Sequence, residues 1–192
     1  MRLGLSDVTN KALEELQNGT DRTIAVVSGA IVDSHLTDLL KNNFKRDDTE
    51  YSTKILNNVF QPEGPLGNFG AKIWVAYLMG YLSPIAHDDL QNLRFIRNQF
   101  AHYSQSNSFE TQRIKDRCAN FKLISEHIRP AAVSREPGGP LVDSVTAQHK
   151  VLLHLVDHQE ALATPKSRFV NTAKLFVAAL EISRPLLRKP IL

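Results

Sequence analysis

The chain has little cysteine: Cys118 is the single thiol among 192 residues. One thiol excludes an intramolecular disulfide framework and a four-thiolate zinc site, and it fits a reducing compartment. We therefore expect the protein in the cytoplasm. The segment from Met1 to Asp7 lacks the apolar stretch of a secretory signal, and no run approaches the roughly 18 apolar residues that cross a bilayer. No membrane contact is expected.

Proline is missing from the first 61 residues, and only three of the nine glycines precede Pro62. Long helices can therefore form there without interruption. Thr20 is a plausible N-cap for a helix that continues to Phe44. Because this stretch is apolar on more than one face, it is typical of a helix buried in the middle of a bundle. Asp47 followed by Glu50 resembles a capping box and predicts a second, short helix ending at residue 60.

Turn signals divide the rest of the chain into further helices, and no alternating strand pattern is found. Hydrophobic residues make up 42% and charged residues 22% of the chain, which is typical of a soluble globular domain. We predict one all-α domain over residues 1–192, a compact bundle of about seven helices. Residues 20–128 would form the core bundle, and 144–187 a C-terminal helical pair packed on it. The later helices are predicted near 69–79, 84–103, 109–128, 144–162 and 165–187.

A charge excess of one sign is also missing, since 23 basic residues face 20 acidic ones and the net charge is +3. This surplus is too small to require nucleic acid as a partner. The charge is uneven, however: segments 92–122 and 160–192 each hold six basic against two acidic residues. If their faces adjoin, they would attract an anionic partner, although solvated helix faces are the alternative. The candidate residues for a nucleic-acid or partner surface are Arg94, Arg113, Arg117, Lys166 and Arg168.

Metal-ligating and nucleophilic residues are sparse. His154 and His158 lie four residues apart on a predicted helix, a spacing that can bind a divalent metal. A third ligand at a firm spacing is missing, so we favour a solvated or partly packed histidine pair and expect no metal or other cofactor. Cys118 falls on the buried stripe of its helix, which indicates a core residue rather than a nucleophile. No helix-turn-helix, phosphate-binding glycine loop or catalytic triad is present.

The hexapeptide from Arg97 to His102 is the most suggestive chemical motif. Arginine can stabilise phosphate charge, and histidine can transfer a proton. On a helix, however, Arg97 lies on the buried stripe and His102 about 140° away. A joint site therefore needs a helix that unwinds at His102, or a second subunit. Alternatively, Arg97 is a mostly buried guanidinium in a structural ion pair with a carboxylate of the long helix, Asp33 or Asp38, of which we favour Asp33.

A long ordered motif carries a family resemblance. It runs from Gly64 to Ser83 (GPLGNFGAKIWVAYLMGYLS) and continues through an apolar stripe into the hexapeptide that starts at Arg97. The buried helix with Gly29 and Asp33, and the C-terminal segment 164–169, fit as well. Over residues 20 to 180 the chain resembles the mannitol operon repressor family of bacteria.

The resemblance implies a compact all-helical protein that acts as a negative regulator of mannitol utilisation. It also implies kinship with HEPN-like helical domains, in which an arginine, the following polar residue and a histidine form a metal-independent ribonuclease site across a dimer seam. Arg97, Asn98 and His102 match that motif. We expect a non-enzymatic regulator that acts through protein contacts and forms a possible homodimer. The alternatives are a HEPN-type ribonuclease or toxin-like domain and a purely structural adaptor, and direct DNA or RNA binding stays open.

Overall fold

The computed structural model describes residues 19–44, 47–102, 107–128 and 162–183, and the regular structure in this part of the chain is entirely helical. The predicted all-α bundle of about seven helices is confirmed. The helix predicted for 144–162 lies outside the described residues. The described residues form seven helices: α1 (Asp21–Phe44), α2 (Glu50–Phe60), α3 (Phe69–Leu78), α4 (Pro84–Ala101), α5 (Gln112–Ala119), α6 (Leu123–Ile128) and α7 (Pro165–Ser183).

Helix α1 lies at the centre of the bundle, where it packs against α3, α4 and α7. Its side chains Ile24, Val32, Leu36 and Leu40 are completely buried, as expected for a helix that is apolar on more than one face. Among the described helices α1 is long and apolar enough to cross a membrane by those two criteria. Since 50% of that stretch is buried inside the bundle, its composition is accounted for by its central position.

Helix α2 begins at Glu50, so its N-cap lies two residues after Asp47, the cap that the sequence predicted. The N-cap is Thr49, whose hydroxyl accepts a hydrogen bond from the N–H of Ser52 at 3.2 Å. Asp47 instead accepts hydrogen bonds from the hydroxyl (2.7 Å) and the N–H (3.2 Å) of Thr49. The carboxylate therefore orients the capping residue, and the predicted capping box between Asp47 and Glu50 is wrong.

The turn between α3 and α4 follows local sequence rules closely. Gly80 adopts a φ of 76°, a left-handed conformation that glycine tolerates without strain. Ser83 then caps α4 by accepting from the N–H of Ala86 at 3.2 Å, with Pro84 in the first turn. This turn lets α3 fold back against α4, and both helices reach α1.

The single helix predicted from residue 109 to 128 is split into α5 and α6. The break exists because Asp89 of α4, 0% exposed, caps α6 from outside the segment. Its carboxylate accepts hydrogen bonds from the N–H groups of Lys122 at 3.1 Å and Leu123 at 2.8 Å. Sequence periodicity could not reveal a cap supplied by a residue more than thirty positions away.

Helix α7 packs against α1, α5 and α6. Its Phe169 ring contacts Phe109 (5.3 Å between centroids) and Phe121 (6.3 Å), and Phe109 also contacts Phe100 of α4 at 5.0 Å. These rings join α7 to both ends of α5. The division into a core bundle and a C-terminal helical pair stays a prediction, since the other helix of that pair lies outside the described residues.

We predict that Asp89→Asn lowers the free energy of unfolding by about 1–3 kcal/mol, because the amide group turns a donor toward buried N–H groups that need an acceptor. Chemical denaturation measures the loss. The matched control is Asp88→Asn, where the replaced side chain is 62% exposed; we expect a change below about 0.5 kcal/mol. Equal stability of the two variants would contradict a capping role for Asp89.

The same carboxyl group predicts a pH dependence. Burial raises the pKa of Asp89 above its ordinary 3.8, against the opposing effect of the two backbone hydrogen bonds. Between 3.8 and the raised pKa the folded state therefore binds more protons than the unfolded state. The contribution of Asp89 to stability falls as pH rises through this window. Asp89→Asn removes that slope, which denaturation at a series of acidic pH values measures.

Cys118 is completely buried on α5, and burial raises the pKa of its thiol to about 12, partly offset by the nearby Arg168 charge. This confirms the prediction of a core cysteine. We expect an aromatic disulfide reagent at pH 8 to label the native protein at least about 100-fold more slowly than the unfolded protein. Rapid labelling under native conditions would show that α5 detaches from the bundle.

Candidate functional site

The three residues of the ribonuclease-like motif lie at the end of α4, where Asn98 contacts Arg97 through its side chain and His102 through its backbone. Its side-chain oxygen accepts a hydrogen bond from the guanidinium of Arg97 at 3.0 Å. Its backbone oxygen accepts from the N–H of His102 at 3.3 Å. Helix α4 ends at Ala101, and His102 is exposed and extended, with φ −74° and ψ 121°. The helix therefore unwinds at the residue where a joint site requires it.

Arg97 is half-buried because its aliphatic stem lies across α1 at Gly29. A Cβ atom at Gly29 would stand 2.6 Å from Cγ of Arg97, which is shorter than carbon atoms tolerate. Glycine at this position therefore lets α1 and α4 approach closely. The stem packs on α1 while the guanidinium stays at the motif, as is common for long cationic side chains.

The ion pair predicted between Arg97 and Asp33 is not formed in the described structure. Asp33 instead accepts from Nζ of Lys72 at 2.7 Å, with the lysine side chain 6% exposed and the aspartate 27%. Lys72 lies on the face of α3 that packs against α1, so it reaches the carboxylate directly. The partner of Asp33 on the central helix is therefore a lysine from α3 and not Arg97.

The start of α1 also contributes charged groups near His102. The guanidinium of Arg22 donates to the carbonyl oxygen of Ala101 at 3.0 Å and so covers the last turn of α4. The adjacent Asp21 accepts from the N–H of Phe109 at 3.1 Å and pairs with Lys166 of α7 at 3.3 Å. The second basic segment thus approaches the His102 end of the bundle, but its Lys166 is neutralised by an aspartate.

The predicted basic surface is divided among three places. Arg113 and Arg117 of α5 are exposed, and both guanidinium groups lie over the ring of Phe95, at 4.7 and 4.5 Å from its centroid. Arg94 lies on α4, next to Phe95 in the sequence, and its guanidinium instead donates to the side-chain oxygen of Gln91 at 3.1 Å. Lys166 and Arg168 lie at the start of α7. These five basic residues thus belong to three helices, α4, α5 and α7.

Arg168 borders a groove between α5 and the start of α7, with a volume of about 310 Å³. Its guanidinium donates to the carbonyl oxygens of Ala119 and Leu162, both at 3.4 Å. The charge therefore interacts with backbone oxygens at the end of α5 and just before α7. The groove is lined by side chains of both charges, since a lysine, an aspartate and an arginine all border it. It is lined by Gln112, Lys115, Asp116, Ala119, Leu162, Ala163, Thr164, Pro165 and Arg168.

An exposed apolar patch on α3 was missed by sequence reasoning. It consists of Trp74 and Leu78 on α3 and of Met79, the residue that ends this helix, which are 53%, 79% and 44% exposed. We call it the α3 patch. The indole of Trp74 is held against the imidazole of His87, at 4.6 Å between ring centroids. The available signal was the spacing of Trp74 and Leu78, four residues apart and off the buried stripe that contains Ile73.

Metal binding finds no support in the described part of the chain, where no group of three or more histidine, cysteine, aspartate or glutamate side chains could hold an ion. The weak candidates His154 and His158 lie outside the described residues. Cys118 has no exposed surface and stays a core residue. The motif at the end of α4, the two arginines on Phe95 and the α3 patch are therefore the candidate functional features.

Comparison with known proteins gives the chain a family. The family model described as "Mannitol repressor" matches residues 8–162, whereas no curated protein matches the chain. Among solved structures, the chain is similar to the "X-ray structure of the MtlR-HPr complex from Escherichia coli", with 18% sequence identity and a TM-score of 0.61. The alignment covers 91% of this chain and 99% of that one, which is a likeness of fold. Since the family model spans most of the sequence, the resemblance is confirmed, and this chain belongs to the mannitol repressor family.

Proposed function

We propose that this protein is a negative regulator of mannitol utilisation that works by binding another protein, and that this partner is HPr. The observation that carries the proposal is the similar fold of the Escherichia coli MtlR, which was solved as a complex with HPr. Membership in the mannitol repressor family indicates that the regulated process is mannitol utilisation. This function requires a cytoplasmic protein, which agrees with the single buried thiol.

The α3 patch supports a protein contact. Tryptophan is among the residues that contribute most to binding energy in protein interfaces, and clustered exposed apolar side chains mark interaction surfaces. The ring contact with His87 at 4.6 Å holds Trp74 in place before binding. A partner that covers the patch would gain from burial of the exposed Trp74 and Leu78 without a large ordering cost.

Direct operator binding has weaker support. The sequence contains no helix-turn-helix motif, and the basic residues that could meet DNA are divided among α4, α5 and the start of α7. Lys166 is paired with Asp21, and Arg168 contacts backbone carbonyl oxygens. A regulator built this way is better suited to a protein partner than to a continuous phosphate backbone.

We expect purified protein to bind HPr from the same organism, and Trp74→Ala to weaken binding by about tenfold or more. The matched control is Tyr51→Ala, because Tyr51 is 74% exposed on α2, outside the α3 patch. Its dissociation constant should stay within about threefold of the wild-type value. Isothermal titration calorimetry measures both constants.

These measurements test separately whether HPr is the partner and whether the α3 patch is the surface that binds it. No saturable binding of HPr to the wild-type protein would refute the proposed partner. Wild-type binding that Trp74→Ala leaves unchanged would keep the partner and reject the α3 patch. A mobility-shift titration with the mannitol operator at about 150 mM salt tests the direct alternative, because nonspecific contacts to phosphates weaken steeply with salt. Specific operator binding under these conditions would contradict a repressor that acts only through protein contacts.

A metal-independent ribonuclease is a second candidate, favoured by the unwinding of α4 at His102. The side chain of Asn98 contacts the Arg97 guanidinium, and its backbone oxygen accepts from the N–H of His102, so the three residues that match the motif all lie at this end of the helix. In such a site Arg97 would stabilise charge on the phosphorane, and His102 would act as general acid or base. A second subunit would complete the site across the predicted dimer seam.

This candidate predicts RNA cleavage that continues in the presence of a chelator and falls by about 100-fold or more in His102→Ala. The melting temperature should not change, because the His102 side chain is exposed at the end of α4. A fluorogenic RNA substrate measures the rates. Wild-type protein that leaves RNA intact, or a variant that cleaves at the wild-type rate, would eliminate the ribonuclease candidate.

A further inference from the structure

The two arginines of α5 form an unusual pair that the proposed function does not use. Arg113 and Arg117 lie four residues apart on one helix face, where like charges repel and destabilise a helix. Both side chains are exposed, yet they do not spread into solvent. Their guanidinium carbons lie within 4.7 Å of the same ring centroid, that of Phe95 on α4. Both guanidinium groups are therefore held on one aromatic ring.

Specific contacts hold this arrangement. The ring of Phe95 attracts each guanidinium through its quadrupole and removes part of the hydration shell. A further hydrogen bond runs from the guanidinium of Arg117 to the side-chain oxygen of Asn92, at 2.9 Å. Asn92 is 8% exposed on α4, so its burial fixes the position of the oxygen that accepts from Arg117. Two independent contacts from one helix therefore orient the pair before any ligand arrives.

Neither arginine has an acidic partner within the described residues. The carboxylate of Asp116 accepts from the amide of Gln112 at 2.7 Å, and Glu110 pairs with Lys115 at 3.1 Å. The nearest acidic residues along the chain are thus engaged by other side chains. No described carboxylate therefore relieves the repulsion between the two guanidinium groups.

We infer that Arg113 and Arg117 form a binding site for a phosphate monoester. Two guanidinium groups supply two positive charges, which match the charge of about −1.5 to −2 that a phosphate monoester carries at pH 7. Each planar fork can donate two parallel hydrogen bonds to phosphate oxygens. A single carboxylate would neutralise only one arginine, and the diester groups of a nucleic acid carry one charge each and need a longer row of cations.

The monoester has two possible sources, a small phosphorylated metabolite such as a hexitol phosphate or a phosphorylated side chain of a protein. Isothermal titrations at constant ionic strength with inorganic phosphate, a hexitol phosphate and a phosphoserine peptide separate them. We expect one-site, saturable binding of phosphate to the wild-type protein. Tighter binding of the hexitol phosphate or of the peptide then identifies the source.

The test variant is Arg113→Gln with Arg117→Gln, which should weaken phosphate binding by about tenfold or more. The matched control is Lys115→Gln with Lys166→Gln, because it removes the same two charges from lysines already paired with Glu110 and Asp21. This control should bind phosphate as the wild type does. Arg113→Lys with Arg117→Lys keeps the charge, loses the planar forks and should lie between the two, which covers any misfolding of the glutamine variant.

Three results would overturn the inference. The first is no saturable binding of any monoester in the millimolar range. The second is equal affinity of the wild-type protein and the double glutamine variant. The third is binding of a single-stranded oligonucleotide that depends on Arg113 and Arg117 and that phosphate monoesters do not compete, which would assign the pair to nucleic acid. None of these results depends on whether HPr binds, so this site and the proposed function are tested separately.

Discussion

The close approach of α1 and α4 at Gly29 is the contact on which the rest of the structure depends. Because glycine has no Cβ, the stem of Arg97 can lie directly on α1. This contact sets the position of α4 against the central helix. Helix α4 in turn carries the candidate ribonuclease-like motif at its C-terminal end, the ring of Phe95 in its last half and the Asp89 cap of α6 in its first half. A shift of α4 along α1 would move all three.

Buried polar contacts then fix the neighbouring helices relative to this pair. Lys72 and Asp33 join α3 to α1 through a 2.7 Å ion pair with little exposure of the lysine. Breaking such a pair strands a buried charge, so it penalises other arrangements of the two helices. Asp89 satisfies two N–H groups at the start of α6. Apolar packing alone would tolerate several arrangements, whereas these polar contacts admit few.

The candidate functional features lie on surfaces that this scaffold leaves free. In the α3 patch, Trp74 and Leu78 lie on the side of α3 away from its buried residues Ile73 and Ala76. The arginine pair sits on the exposed side of α5, above α4. Each feature is held by an aromatic contact, His87 beneath Trp74 and Phe95 beneath the arginines. Functional side chains that are positioned before binding lose less entropy when a partner or ligand arrives.

The sequence by itself determined the helical class, most helix ends and the family. Absent prolines, the apolar faces of α1, and the Ser83 cap with Pro84 are local signals, and local signals survive without tertiary context. The tertiary structure alone decided the split between α5 and α6, the pairing of Asp33 with Lys72 and the grouping of Arg113 with Arg117 over Phe95. Each depends on a residue brought from another helix by packing. Helical periodicity tells which residues face inward, but it does not tell which residue of a distant helix they will meet.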